Sequence, residues 1–349
     1  MKNLSEVFIS KATANNFKTF SELVFKYISR DYLDIDSTFA NNIIDTHKKE
    51  VDIYGYFTLK KEIWVLKKTD AVLGFIVTTI KRGGSVKIGP QIMLPEYQGK
   101  GYGSKFRDLI EQTLCEEKYR KAYVTLASKN HTLLRWDLKR GYRIEAQLSS
   151  HFNDKHDEIV LGKFLCDRRV SKNENLNTEF KPIGPEIITD KTYKVSMLNG
   201  GSSEKFKAMI LEFMPKYYDQ IDETFADNII KSTDRINELY KKKGKIVVVL
   251  ENNNEMLASI VLTPKRGGAC KLCPLLIRTG YERHIGITEL VKYAEELVAE
   301  IKCRKIYTII PVFEHNVLKV FYERQYETEG LLREPYKPGI DTVVLGKLL

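Results

Sequence analysis

Ile92-Met93-Leu94-Pro95-Glu96-Tyr97-Gln98-Gly99-Lys100-Gly101-Tyr102-Gly103-Ser104 is the stretch on which the reading of this chain turns. It opens as a short apolar run closed by a proline, and beyond it Phe106, Leu109, Ile110 and Leu114 recur at helical spacing as far as Tyr119. The pattern predicts a strand, a tight loop and a helix. Glycines at 99, 101 and 103 let the main chain turn sharply and come close to a ligand, and the helix that follows offers unpaired N–H groups and a positive dipole end. A pyrophosphate suits such a seat. A dinucleotide-binding unit begins in a similar way, but it sets its loop after the first strand, whereas several strands precede this one.

On the N-terminal side, Val7 to Thr13 reads as a strand, Phe17 to Arg30 as an amphipathic helix, and a second helix starts near Ser37. Strands follow at Glu62 to Lys67, Ala71 to Ile80 and Val86 to Leu94, with Lys81-Arg82-Gly83-Gly84 as a hairpin turn. Gly89-Pro90 inside the last of them predicts a bulge. After the central helix come a strand at Ala122 to Ala127, a helix over Asn130 to Arg140, and strands at Arg143 to Leu148 and Glu158 to Phe164.

The Gln-x-x-Gly-x-Gly spacing of Gln98, Gly101 and Gly103, with Pro95 and Tyr97 before it, resembles the acetyl-coenzyme A loop of the GNAT N-acetyltransferases, and the order of elements is like theirs throughout. The resemblance implies an α/β fold, a mixed and mostly antiparallel sheet flanked by helices, with acetyl-CoA as cosubstrate and no metal. It implies that backbone N–H groups near Met93 and Leu94 hold the thioester carbonyl. Gln98, Gly99, Lys100, Gly101, Tyr102, Gly103 and Ser104 would bind the pyrophosphate, and Asn130 the cofactor arm. The family's helix ends in Leu-Tyr-x-x-x-Gly-Phe, and its tyrosine protonates the leaving thiolate. Here Gly141 and Tyr142 match, but Asp137 stands where the tyrosine would be. Asp137 and His131 are therefore the catalytic candidates, each weighed against a plain reading: a solvated helix charge and a helix-start residue. The expected fourth-strand carboxylate is missing too, with Glu62, Glu96, His151 or the second half of the chain as substitutes. A lysine amine, pKa about 10.4, costs about 4.6 kcal/mol to deprotonate at pH 7, and an α-amine about 1. Without a base, low-pKa amines are the favoured acceptors. Tyr54, Tyr56, Phe57 and Trp64 could line the acceptor pocket or the core equally well.

The chain also repeats itself. Asp36-Ser37-Thr38-Phe39-Ala40-Asn41-Asn42-Ile43-Ile44 returns as Asp222-Glu223-Thr224-Phe225-Ala226-Asp227-Asn228-Ile229-Ile230, an offset of 186 (222 − 36). Lys81-Arg82-Gly83-Gly84 returns as Lys265-Arg266-Gly267-Gly268, and Val160-Leu161-Gly162-Lys163 as Val344-Leu345-Gly346-Lys347, each offset by 184 (265 − 81, 344 − 160). A tandem of two GNAT-like domains is expected, 1–165 and 193–349, joined by a polar linker over 166–192. At an offset of 184, Gln98 falls on Glu282, Gly99 on Arg283, Gly101 on Ile285 and Gly103 on Ile287. The second copy is thus expected to keep the fold, lose the cofactor loop and wall a cleft against the first, unless a shifted loop of Arg283, His284 and Gly286 still grips a phosphate.

Composition sets the outer bounds. At 349 residues, 43% hydrophobic and 29% charged, the chain is an ordinary two-domain length without an apolar run long enough to span a bilayer or an apolar signal core. A cytoplasmic protein without a membrane partner is expected. Five cysteines, an odd number, do not suggest a disulfide framework, and Cys270-x-x-Cys273 reads as structural thiols. The net charge of +10 suits an anionic ligand, a lysine-rich surface, or RNA. The function expected is transfer of an acetyl group from acetyl-CoA to a primary amine of a small molecule, amino acid or peptide, by direct attack. The alternatives are an aminoacyl-tRNA-dependent transferase and a non-catalytic acyl-CoA sensor or scaffold. Nucleic acid is not the expected partner, though the charge keeps it open, and the reading leaves room for a homodimer.

Overall fold

A computed structural model describes residues 6–51, 56–151, 154–166, 192–235, 244–282 and 285–349. The chain divides into two compact units, Met1–Asp167 and Arg168–Leu349. All but the two end residues of the expected linker lie outside the described residues.

The first unit runs β1 (Val7–Lys11), α1 (Ala14–Ile28), α2 (Ser37–Lys49), β2 (Thr58–Lys68), β3 (Ala71–Lys81), β4 (Ser85–Met93), a short 3₁₀ turn (Pro95–Tyr97), α3 (Tyr102–Glu116), β5 (Lys121–Ala127), α4 (His131–Lys139), β6 (Arg143–Leu148) and β7 (Glu158–Phe164). Its strands lie in the order β1-β2-β3-β4-β5-β7-β6. Neighbours are antiparallel except β4 and β5, which are parallel. Alternation along the strands gives two apolar faces. Trp64 and Leu66 of β2, with Ile76, Val86 and Val124, pack under Phe106, Ile110 and Leu114 of α3. Ile63 and Val65, with Phe75 and Val77, pack under Phe20 and Val24 of α1 and Ile43 and Ile44 of α2. The three α3 side chains are essentially fully buried, contributing about 1.5–3 kcal/mol each, which is what anchors the helix that carries the glycine loop. Trp64 therefore belongs to the core, its Nε1 donating to Thr78 Oγ1 at 3.0 Å, and not to an acceptor pocket. Tyr56 is also buried, and Tyr54 lies outside the described residues.

The second unit runs β8 (Tyr193–Met197), α5 (Ser203–Phe213), α6 (Glu223–Thr233), β9 (Ile246–Asn252), β10 (Glu255–Pro264), β11 (Ala269–Ile277), α7 (Ile285–Glu300), β12 (Lys305–Pro311), α8 (His315–Glu323), β13 (Glu327–Leu332) and β14 (Thr342–Leu348). Its order, β8-β9-β10-β11-β12-β14-β13, matches the first unit strand for strand, with β11 and β12 the parallel pair.

Polar details repeat as well. Lys121 Nζ meets Glu145 Oε2 at 2.7 Å inside the first unit, and Lys305 Nζ meets Glu329 Oε1 at 2.5 Å inside the second, 184 positions on (305 − 121). Gly162 and Gly346 of the repeated Val-Leu-Gly-Lys lie against these glutamates, where a Cβ would collide with the carboxylate. Arg120 Nε donates to the Gly83 carbonyl at 2.5 Å and Arg304 Nε to that of Gly267 at 2.7 Å, which explains why the Lys-Arg-Gly-Gly turn is kept twice. Glu111 gathers Tyr142 and Lys163, as Glu295 gathers Arg324 and Lys347. These groups belong to the fold rather than to a ligand.

Cys115 in α3 is bonded to Cys166, their Cα atoms 5.9 Å apart, a crosslink that the odd cysteine count did not suggest. Cys270 and Cys273 are buried in β11 as free thiols. Among the described residues no helix is long and apolar enough to cross a membrane.

Candidate active site

β4 and β5 pair only from Ser85–Lys87 against Lys121–Tyr123 and then part, leaving a V-shaped gap that opens toward their C-terminal ends. The expected bulge is present: opposite the single residue Val77 of β3, β4 carries two, Gly89 and Pro90. An extra residue reverses which side chains face which side. Val86 and Ile88 point to the α3 face, but after the bulge it is Gln91 and Met93 that do so, while Ile92 joins the α1–α2 face.

Gln91 uses that orientation. Its Nε2 donates to the carbonyl of Gly103 at 2.8 Å, and its Oε1 accepts from Arg107 Nε at 3.0 Å. Arg107, 4% exposed, reaches on to Asp137 Oδ1 at 3.3 Å and lies 5.1 Å from the Trp136 ring. Trp136 Nε1 donates to Ser104 Oγ at 3.0 Å. A buried polar chain thus ties the first turn of α3 to both β4 and α4. The second unit has Leu275, Val291 and Phe321 at the places matching Gln91, Arg107 and Asp137, so the chain belongs to the first unit alone. Asp137 is accordingly not a solvated helix charge; it is 4% exposed. Burial raises its pKa, while Arg107 and Arg140 pull it back and Glu111 adds to the rise. His131 is exposed at the first position of α4.

The loop itself has two kinds of glycine. Gly99 (φ 69°) and Gly101 (φ 89°) take left-handed backbone that costs other residues about 1–2 kcal/mol. A Cβ on Gly99 would meet nothing within 4 Å, so its side faces open space. Gly103 is helical and sits 3.4 Å, at its Cβ position, from Gln91 Nε2, a packing reason instead. The helix ladder begins with Lys105 N–H on the Gly101 carbonyl, so the N–H groups of Tyr102, Gly103 and Ser104 have no acceptor within the helix. Together with the helix dipole they form an anion seat. Lys100 is exposed beside it, its Nζ 5.9 Å from the Tyr97 ring centroid, and Tyr102 meets the same ring edge-on at 6.0 Å.

Gln98 also braces the loop. Its Nε2 donates to the Met93 carbonyl at 2.9 Å, closing the loop back onto the end of β4. Leu94 N–H donates to the Leu73 carbonyl at 2.9 Å and is spent on β3, so it is not a thioester donor. In an antiparallel ladder the next amide points the opposite way, which directs Met93 N–H to the gap. Asn130 caps α4, its Oδ1 accepting Leu133 N–H at 3.2 Å, and its NH₂ remains a donor.

On the other side of the gap lies a cluster that the sequence indicated only through His151. Val124 and Leu126 face α3, so Thr125 faces the α1–α2 side. There Tyr32, from the segment between α1 and α2, lies beside Thr125 and Glu158. Glu158 Oε2 is 3.8 Å from His151 Nε2, both residues buried. Burial, then the Glu158 charge, push the Tyr32 phenol well above its ordinary range, so it stays protonated. Glu158 pairs in register with Ala127, the last residue of β5, which sets the cluster at the open end of the V. The other expected bases fare differently: Glu62 is held by Lys11 and Lys60 at 2.7 and 2.8 Å, and Glu96 is exposed in the 3₁₀ turn. Among the described residues no group of three or more His, Cys, Asp or Glu gathers as metal ligands would.

In the second unit Ile287 is buried in the core and Ile285 opens α7; Arg283 and His284, on which a shifted phosphate loop would rest, lie outside the described residues.

Residues 30–142 match the acetyltransferase (GNAT) family. Similar solved structures include spermidine N-acetyltransferase from Vibrio cholerae in complex with CoA and spermine, 14% identical over 46% of this chain and 96% of that one, with a TM-score of 0.39. Another is a GNAT family acetyltransferase from Elizabethkingia anophelis with acetyl-CoA bound, 14% identical over 46% and 99%, TM-score 0.37. A third is the ribosomal-protein-S18-alanine N-acetyltransferase from Escherichia coli, 12% identical over 49% and 98%, TM-score 0.35. No curated protein matches the chain.

Proposed function

The first unit carries an acetyltransferase domain of the GNAT family, and from that premise we propose that it transfers the acetyl group of acetyl-CoA to a primary amine by direct attack. The observation that carries this reading is the parallel pair β4–β5 parting just where an anion seat, built from two left-handed glycines and a helix N-terminus, comes to its edge. Acetyl-CoA, when bound, supplies a thioester open to an amine and a pyrophosphate for the seat. The N–H groups of residues 102–104, with Lys100, hold the pyrophosphate, and the Asn130 amide is a donor for the arm. Met93 N–H serves the carbonyl on which charge develops, a donor of the kind worth about 2.7–4 kcal/mol.

The acceptor enters from the α1–α2 side. Glu158, with His151 beside it, takes the ammonium proton, directly or through a water. Tyr32, held protonated, orients Glu158 and donates without titrating. This pair answers the missing fourth-strand carboxylate, and it removes the sequence-based preference for low-pKa amines: a base in reach meets the roughly 4.6 kcal/mol that a lysine-like amine must spend at pH 7. The acceptor class stays a primary amine on a small molecule, an amino acid or a peptide. Two domains, 1–165 and 193–349, joined through 166–192, are part of the same proposal, the second a copy that keeps the fold and has lost the loop.

Titration calorimetry with acetyl-CoA and a thiol-release assay over an amine panel test this. Saturable binding that Gly101→Val abolishes, with turnover on at least one amine that Glu158→Gln suppresses, is expected. Binding without turnover on any amine would mean a sensor, and binding that survives Gly101→Val would remove the seat from the account.

A further inference from the structure

In the second unit β11 and β12 pair from Ala269–Leu272 against Lys305–Thr308 and then part. Beyond that point Leu275–Ile277 and Ile309–Pro311 become opposite walls of a partly open pocket. Phe213, Tyr217 and Tyr218, at the end of α5 and just after it, close one side, and Glu314 at the head of α8 closes another. Element for element this corresponds to the gap of the first unit, but its polarity is inverted. Glu282 stands where Gln98 would be (282 − 98 = 184) and Glu314 where Asn130 would be (314 − 130 = 184). Asn130 and Glu314 each precede a nine-residue helix, so the correspondence is structural as well as numerical.

Two neutral amides have become two carboxylates. Glu282 Oε2 accepts the Gly280 N–H at 2.9 Å, so the turn before α7 already holds an anion of the chain's own. A phosphate arriving there would meet like charge. Aromatic walls and acceptors remain. The Tyr217 hydroxyl donates to Glu314 Oε1, and burial, that bond and Glu282 keep the phenol neutral. Lys216, with 63% of its side chain exposed, holds its Nζ 4.9 Å from the Tyr217 ring centroid and 3.9 Å from Glu314 Oε1. An alkylammonium against one ring and one carboxylate is the arrangement by which such cations are recognised, and here the chain supplies its own at the mouth.

We propose that this cavity binds a small organic cation, a primary alkylamine or diamine, its ammonium held by Glu314 and Glu282 and its carbon chain laid against Phe213, Tyr217 and Tyr218. The site carries out no acyl transfer and is independent of the reaction assigned to the first unit.

Hydrogen–deuterium exchange of the full chain, read by mass spectrometry with 1,4-diaminobutane as probe, tests it. Saturable protection is expected in peptides covering residues 213–218 and 309–317, with none there from acetyl-CoA. Glu314→Gln should weaken that protection about tenfold, the loss of one charge-assisted contact, and Glu282→Gln should weaken it less. Lys216→Met removes the tethered competitor and should tighten it, a gain that misfolding cannot produce. Amine protection confined to residues 6–166, protection of 213–218 by acetyl-CoA, or equal affinity in Glu314→Gln would each overturn the assignment.

Discussion

Replacing Asp137 by Ala separates a positioning role from a proton-donating one. Asp137 and Arg107 are both 4% exposed and paired at 3.3 Å, so the change leaves a buried guanidinium without its carboxylate, at a cost of about 3–5 kcal/mol. For a unit of this size each kcal/mol lowers the melting temperature by about 2–4 °C, so the first unit should melt about 6–20 °C earlier. Arg107 also holds Gln91 Oε1, and Gln91 holds the Gly103 carbonyl, so the first turn of α3 loosens and acetyl-CoA affinity falls. The loss of one neutral hydrogen bond, about 1 kcal/mol, puts that fall near fivefold. The double variant Arg107→Met with Asp137→Leu should regain most of the stability, since no unpaired charge remains, but not the affinity. Scanning calorimetry and titration with acetyl-CoA measure the two effects separately. If Asp137→Asn keeps both melting temperature and affinity while turnover collapses, Asp137 is the acid that protonates the thiolate and the positioning argument is wrong.

Three further outcomes follow from the same geometry. Gly99→Ala, at φ 69° with open space at its Cβ, should cost only about 1–2 kcal/mol of stability yet weaken acetyl-CoA binding more than that strain alone explains, as paired melting and calorimetry would show. Glu158→Gln should remove the acid-side limb of the kcat/KM profile for a high-pKa amine while leaving acetyl-CoA affinity intact; an unchanged profile would move the base elsewhere. Glu62 is raised by burial but lowered more by the hydrogen bonds from Lys11 and Lys60, so its folded pKa lies below the unfolded one. Its contribution is therefore present above the unfolded value, near 4.3, and lost as pH falls through the folded value. Denaturant melts of Glu62→Gln should be weaker than the parent at pH 7 and equal to it near pH 2.

What the sequence disclosed was local. The glycine loop, the bulge at Gly89-Pro90 and the repeated Lys-Arg-Gly-Gly turn each depend on residues a few positions apart, and all were legible. The burial of Asp137 was not, because it depends on a partner thirty positions away in α3. Hydropathy even pointed the wrong way, for Leu133 and Leu138 beside it are exposed at 44% and 41%. A signal did exist: set against the second half, Gln91, Arg107 and Asp137 fall on Leu275, Val291 and Phe321, three polar residues opposite three apolar ones. The Tyr32–Glu158–His151 cluster joins Tyr32 to a segment more than a hundred positions away and has no spacing to betray it. The Cys115–Cys166 bond was hidden for the same reason, behind an odd count. Gln98 was recognised as a loop residue, but its bond to the Met93 carbonyl was not legible, since a motif says which residue stands in a loop and not how it braces the turn.

Twin buried lysine–glutamate pairs, at 121 with 145 and at 305 with 329, make the molecule its own control. The same substitution introduced in either half perturbs an equivalent interior, so the two halves should respond alike wherever only architecture is at stake. Divergence between such matched variants, recorded with and without a bound small molecule, then isolates what that molecule adds to each half, in one polypeptide and one buffer.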